Sequence, residues 1–140
     1  TDPSGPAIRG MLENAGFVVQ AMQTVPDEEG QISAAIVHAC DILQADLVVT
    51  TGGTGLSARD VTPEATLAVL DREIRAIPVA MWVEGLKSTP RAMLSRAVAG
   101  IRAHTLVLNV PGSEKAAREN LGAVVATLDH ALRMLAGGGH

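Results

Sequence analysis

Aromatic residues are almost missing from this chain, which has one Phe, one Trp and no Tyr in 140 residues. Its core must therefore be aliphatic, and single-stranded nucleic acid has no rings on which to stack its bases. An excess of positive charge is missing too. The formal net charge of −4 offers no basic footprint for a phosphate backbone. The single cysteine, Cys40, excludes an internal disulfide and a CxxC site. Within "AAIVHACDIL" it reads as a small buried hydrophobe without a partner base. His38, His104, His130 and His140 lack ligand spacing, so no zinc site is expected. No apolar run reaches about 18 residues, and no secretory start is present. The chain is expected to be soluble and cytoplasmic, with neither a nucleic-acid nor a membrane partner. Walker GxxxxGK[ST] and GxSxG motifs are absent as well.

What is present is aliphatic and periodic. At 140 residues and 47% hydrophobic, the chain can form one domain with a real core. Helical spacing is predicted over Gly5–Gly16, Gly30–Ala45, Ile77–Lys87 and from Ser113 to about Ala136. A further helix is predicted from a Thr62 cap and Pro63 to about Arg75. Strand patterns occupy Phe17–Val25, Asp46–Thr51 and Thr105–Val110, and Ala97–Arg102 reads as a hairpin arm to the last of these. The tail "GGGH" is expected to be disordered or a cloning remnant. The alternation implies an α/β domain, with a mostly parallel sheet between helices on both faces. Such a domain should open with a strand, yet this chain opens on the loop "TDPSG". An apolar strand is therefore expected upstream.

The polar clusters fall where strands end. "PDEEG" follows Val25, "GGTGLSARD" follows Thr51, "PGSEK" follows Val110, and "TDPSG" would follow the expected upstream strand. In a parallel sheet these ends share one rim, where open α/β proteins bind their ligands. "GGTG" lacks Cβ atoms at three positions, so backbone amides can approach an anion. "GTGLSA" matches G-x-G-x-x-A, but the helix starts at Thr62–Pro63, too late for a dinucleotide loop. A tight turn would explain the glycines alone, though not the Arg59-Asp60 pair beside them. Asp60 and Asp27 could hold Mg²⁺ on a phosphate-binding rim. Their plainer readings are a surface ion pair for Asp60 and a solvated turn or helix cap for Asp27. Pro111-Gly112-Ser113 with Lys115 offers a helix start and a cation, with ordinary capping as the alternative. For Ser95-Arg96 the alternative is a structural salt bridge.

"TTGGTGLSARDVTPEATLAVLDREI" resembles the signature of the molybdopterin adenylyltransferases (Mog/MoaB type, with the gephyrin G domain). "VPDEEGQI", "STPRAMLSRAVAGIR" and "LVLNVPGSEKAARENL" extend the likeness over nearly the whole chain. It implies a three-layer α/β/α fold of the molybdopterin-binding type over residues 1–136, lacking its first strand here, with 137–140 as a tail. The implied reaction is Mg-ATP-dependent adenylylation of molybdopterin, giving adenylyl-molybdopterin and pyrophosphate. Asp60 and Asp27 would be catalytic and would hold Mg²⁺ between the acids and the phosphates. Ser4 and Gly5, Thr51 to Gly55, and Arg59, Thr62 and Glu64 would bind substrate. That group runs through Gly52, Gly53 and Thr54, and Ser95, Arg96, Asn109, Pro111, Gly112, Ser113 and Lys115 would complete the pocket. The family implies a homotrimer, with hexamers in some members, and the molybdenum-inserting enzyme as a further partner. Val79 and Trp82 depart from the family pattern "IPGLAEAMR", which carries Glu and Arg there. Two other readings are a non-catalytic molybdopterin-binding scaffold and a nucleotide hydrolase of the CinA-like type, whose glycine segment typically carries paired Asp.

Overall fold

The computed structural model describes residues 4–137. Thr1–Pro3 of "TDPSG" and residues 138–140 of the expected tail lie outside them. Helix α1 (Ser4–Asn14) turns out of its last turn at Gly16, whose φ of +97° suits only glycine well. Helix α2 (Glu29–Val37) is capped by Glu28, whose carboxylate accepts from the amides of Gly30 and Gln31. It continues into a π turn over His38–Ile42. Strand β1 (Leu47–Thr51) is followed by helix α3 (Thr62–Leu67), strand β2 (Arg72–Glu73) and helix α4 (Ala76–Ser88). A 3-10 turn (Pro90–Leu94) leads to β3 (Ala99–Arg102), β4 (Thr105–Val110) and the long α5 (Glu114–Leu135).

The strands form one sheet in the order β1-β4-β3-β2. β1 and β4 are parallel, and β3 pairs antiparallel with both β4 and β2. Three of the four strands therefore point the same way, and the β3–β4 hairpin is the expected one. All six residues of β4 are buried, as a central strand covered on both faces requires. On one face α1, α4 and α5 pack Ile8, Leu12, Met81, Leu121 and Leu128 against Leu106, Leu108 and Val110. On the other, α2, the π turn and α3 pack Ile32, Ile36, Cys40 and Ala65 against Val107. The result is the expected three layers with an aliphatic core.

Two expectations need correction. The helix from Thr62 ends at Leu67, not near Arg75, because the chain beyond it becomes the sheet edge. Asp71 N donates to Ile101 O and Ile74 N to Ala99 O, both at 2.8 Å. Thr62 is also not the cap, since Val61 occupies that position without a side-chain bond. The second correction concerns Phe17–Val25, which has strand patterning but forms no strand. A strand exists through its ladder, and this segment has no paired neighbour among the described residues. It lines a cavity of about 790 Å³ together with β1, which stands at the end of the sheet order formed by the described residues.

Candidate functional site

The glycine loop, residues 52–61, leaves the end of β1 and returns to α3. It begins with two residues of positive φ, Gly52 (+88°) and Gly53 (+70°). Gly52 N donates to Val110 O at 3.0 Å, so the loop stays tied to the end of β4. The turn after β4 meets it there: a Cβ on Gly112 would lie 3.3 Å from Gly52 Cα. Further on, Ser57 and Asp60 close a turn in both directions. Asp60 N donates to Ser57 O at 2.9 Å, and Ser57 N donates to Asp60 Oδ2 at 3.0 Å. Gly55 makes room for that carboxylate, since a Cβ there would lie 2.9 Å from Oδ2.

The loop carbonyls point into the protein. Thr62 N donates to Gly53 O at 3.2 Å, and Arg96 N donates to Thr54 O at 2.7 Å. The Arg96 guanidinium donates from Nε to Gly55 O at 2.7 Å and from Nη2 to Asp60 O at 2.6 Å. Its Nη1 donates to Glu64 Oε2 at 2.6 Å. In a trans peptide the N–H of the next residue points opposite to the carbonyl. The carbonyls of Thr54 and Gly55, both held by Arg96, therefore leave the amides of Gly55 and Leu56 facing away from it, whereas Gly53 O is held by Thr62 N and Thr54 is only 5% exposed. Neither of the two amides has an acceptor among the described residues. A run of outward amides is an anion-binding surface.

Other residues expected at the site fall into three groups. Gly5, Asp27, Thr51, Gly52, Gly53 and Thr62 line the same 790 Å³ cavity. Asp27 Oδ2 lies 3.5 Å from Arg59 Nη2, which ties "PDEEG" to the glycine loop. The capping role weighed for Asp27 falls to Glu28 instead.

A second group braces the loops. Glu64 and Arg96 form one clamp, and the guanidinium holds the Glu64 carboxyl below its ordinary pKa through hydrogen bonding. Ser113 Oγ accepts from Ala116 N at 3.2 Å and so caps α5. Ser95 Oγ accepts from Ala97 N at 3.3 Å. Pro111 and Gly112 carry the turn, and Lys115 is exposed on the first turn of α5 with no ion-pair partner among the described residues.

The third group is buried. Ser4 is 0% exposed at the start of α1. Asn109 is also 0% exposed and lies inside the sheet. Its Nδ2 donates to Thr50 Oγ1 at 2.8 Å and Thr66 Oγ1 at 3.1 Å, and its Oδ1 accepts from Val98 N at 3.1 Å. Ser57 and Thr66 were not singled out from the sequence. The three-residue spacing of Ser57 and Asp60, typical of side chains that cap a turn, was the available signal for the first.

Comparison with known proteins gives a consistent picture. Residues 1–130 match the family described as "Probable molybdopterin binding domain". The chain is 42% identical to gephyrin of Dictyostelium discoideum over 144 residues, covering 96% of this chain but 20% of that protein. It thus spans about a fifth of gephyrin's length. It is 39% identical over 140 residues to the molybdopterin adenylyltransferase of Helicobacter pylori (strain J99), covering 97% of this chain and 78% of that enzyme. Among solved structures, the molybdopterin biosynthesis enzyme MoaB from Thermus thermophilus superposes with a TM-score of 0.92 at 47% identity, over 98% of this chain and 86% of that one.

Proposed function

The chain belongs to the family of probable molybdopterin-binding domains, and we propose that it is a molybdopterin adenylyltransferase of molybdenum cofactor biosynthesis. In this reading a terminal phosphate oxygen of molybdopterin bonds to the α-phosphorus of ATP. The bond from that phosphorus to its bridging oxygen breaks, and pyrophosphate leaves with the electron pair. Nucleotidyl transfer of this kind depends on positioning and charge neutralisation rather than on an activated side chain. One observation carries the reading: the outward amides of Gly55 and Leu56, a cradle for a phosphate on the loop that also carries Asp60 and that the Arg59–Asp27 ion pair joins to Asp27. The name of the Helicobacter relative, which this chain covers over most of its length, supports the same activity.

The two acids suit Mg²⁺ brought in by a nucleotide. No group of three or more His, Cys, Asp or Glu side chains among the described residues could cage a metal. Mg²⁺ needs only one or two carboxylates when phosphates supply its other oxygens. Asp60 and Asp27 each commit one oxygen, Oδ2, to a protein partner and keep Oδ1 for such a role. When bound, the ion would neutralise charge on the phosphates. Asp60 would sit at the transfer centre with Asp27 beside it, and Arg59 would hold Asp27 in place. Neither a scaffold nor a hydrolase role has an observation of its own in favour.

We further propose a cytoplasmic homotrimer that passes its product to the molybdenum-inserting enzyme. Val79, Val83 and Leu86 are 49%, 56% and 46% exposed along one face of α4, an apolar stripe that association would cover. No helix among the described residues is long and apolar enough to cross a membrane. The deciding assay incubates the protein with molybdopterin, ATP and Mg²⁺. Adenylylated pterin and pyrophosphate are expected in equal amounts. Pterin binding without product would leave a scaffold, and ATP cleavage without pterin would leave a hydrolase.

A further inference from the structure

Arg96 came out of the sequence as a substrate contact, but its guanidinium faces the wrong partners for that. All three nitrogens are engaged by Gly55 O, Asp60 O and the Glu64 carboxylate. Its side chain is 35% exposed and its charge already has a counter-ion. We propose that Arg96 is a positioning residue, braced by Glu64, that aims the amides of Gly55 and Leu56 at a phosphate group without touching it. The inference rests on the reading of this loop as a phosphate cradle.

The fork of an arginine suits this task. Its donors diverge in one rigid plane, so a single residue can hold two carbonyls and a carboxylate at once. A lysine ammonium could reach Glu64 or one carbonyl, but it could not fix the peptide planes at both ends of the turn. Glu64 sets the other half of the geometry. It pulls Nη1 toward α3, and the planar fork then presents Nε and Nη2 to the loop. Without the Glu64 charge the cation is free to swing toward an incoming anion, and the loop carbonyls lose their anchor.

The two roles predict opposite signs for one substitution. If Arg96 bound phosphate directly, Glu64→Gln would release a cation to the ligand and leave binding unchanged or tighter. If Arg96 aims the loop, Glu64→Gln weakens binding. Glu64 is exposed on α3, so the variant folds, and an unchanged thermal midpoint verifies it. The experiment compares the full chain with its Glu64→Gln, Arg96→Lys and Arg96→Ala variants. Inorganic phosphate affinity is measured by calorimetry, and amide ¹⁵N–¹H shifts report on Gly55 and Leu56.

Phosphate should shift those two amides in the wild type. All three variants should bind it about tenfold more weakly, a loss expected when preorganised donors lose their aim. Arg96→Lys should not rescue. With molybdopterin and ATP, Glu64→Gln should raise KM for molybdopterin and lower kcat while KM for ATP stays constant. Phosphate binding by Glu64→Gln as tight as wild type, rescue by lysine, or no phosphate response at the wild-type amides would overturn the proposal. A wild type that binds phosphate but transfers no adenylyl group would sink the enzymatic reading alone, and the phosphate comparison would still judge Arg96.

Discussion

Gly53 and Thr62 stand so close that a Cβ built on Gly53 would lie 2.3 Å from Thr62 Oγ1. The contact closes the loop back onto α3, where Thr62 N also donates to Gly53 O at 3.2 Å. Thr62 is buried and has little room to yield, and Gly53 holds a φ of +70°. Gly53→Ala therefore meets two penalties, backbone strain and a clash. It should cost about 1–3 kcal/mol, seen as a melting temperature lower by several degrees. The displaced amides should also weaken phosphate binding. A variant that melts like the wild type would show that the loop relaxes freely.

The ease of reading this chain tracked whether its interactions were local. β4 shows as an apolar run because it is covered on both faces, and α5 shows because Ser113 caps it four residues from its first buried contact at Ala117. Arg72–Glu73 carries no apolar signal, and its backbone pairing with β3 overrode the helical pattern running into it. Phe17–Val25 has the pattern of a strand, but a pattern cannot supply a ladder partner. The glycines announced a bare backbone near an anion. They did not say which way its amides point, because that direction is set by Arg96, 41 positions after Gly55.

Asn109 offers a test of structure against ligand contact. Removing its side chain in Asn109→Ala orphans the buried Val98 N–H and takes the donor from the Thr50 and Thr66 hydroxyls, of which Thr66 still donates to Thr62 O. Each buried group left unsatisfied costs about 1–3 kcal/mol. The variant should lose at least about 2 kcal/mol in urea unfolding. Full stability with impaired substrate binding would instead place Asn109 at the ligand.

The acid limb of stability should contain the Asp41–Arg102 pair. Arg102 donates to Asp41 from Nε at 3.1 Å and Nη2 at 2.8 Å, and from Nη1 to Val69 O at 2.9 Å. These bonds hold the Asp41 carboxyl below its ordinary pKa. A group lowered in the folded state contributes stability above its unfolded pKa and loses it as pH falls through the folded value. Asp41→Asn should therefore be less stable than wild type at pH 7, and the gap should close below about pH 4. A gap of equal size at both ends of that range would rule out the ion pair as its source.

Association should depend on the apolar face of α4. Val83 is 56% exposed between Val79 and Leu86. Val83→Glu would set a charge in a covered interface while leaving the monomer's core untouched. Assembly should weaken by about 2 kcal/mol or more, roughly 30-fold in dissociation constant. Sedimentation velocity would show the shift toward monomer. An unchanged sedimentation profile would place the interface elsewhere.

Asp60→Asn separates chemistry from loop architecture. The amide oxygen of asparagine can still accept from Ser57 N, the bond that shapes the turn. Fold, melting temperature and phosphate binding should therefore stay near wild type. What disappears is the negative charge that would face a phosphate-bound cation. Adenylyl transfer should fall at least about 100-fold, the scale of losing one well-placed charge-stabilising group. The comparison needs both a product assay and a thermal melt on the same sample. A large loss of stability would make Asp60 a turn residue first, and near-normal turnover would move the catalytic centre away from it.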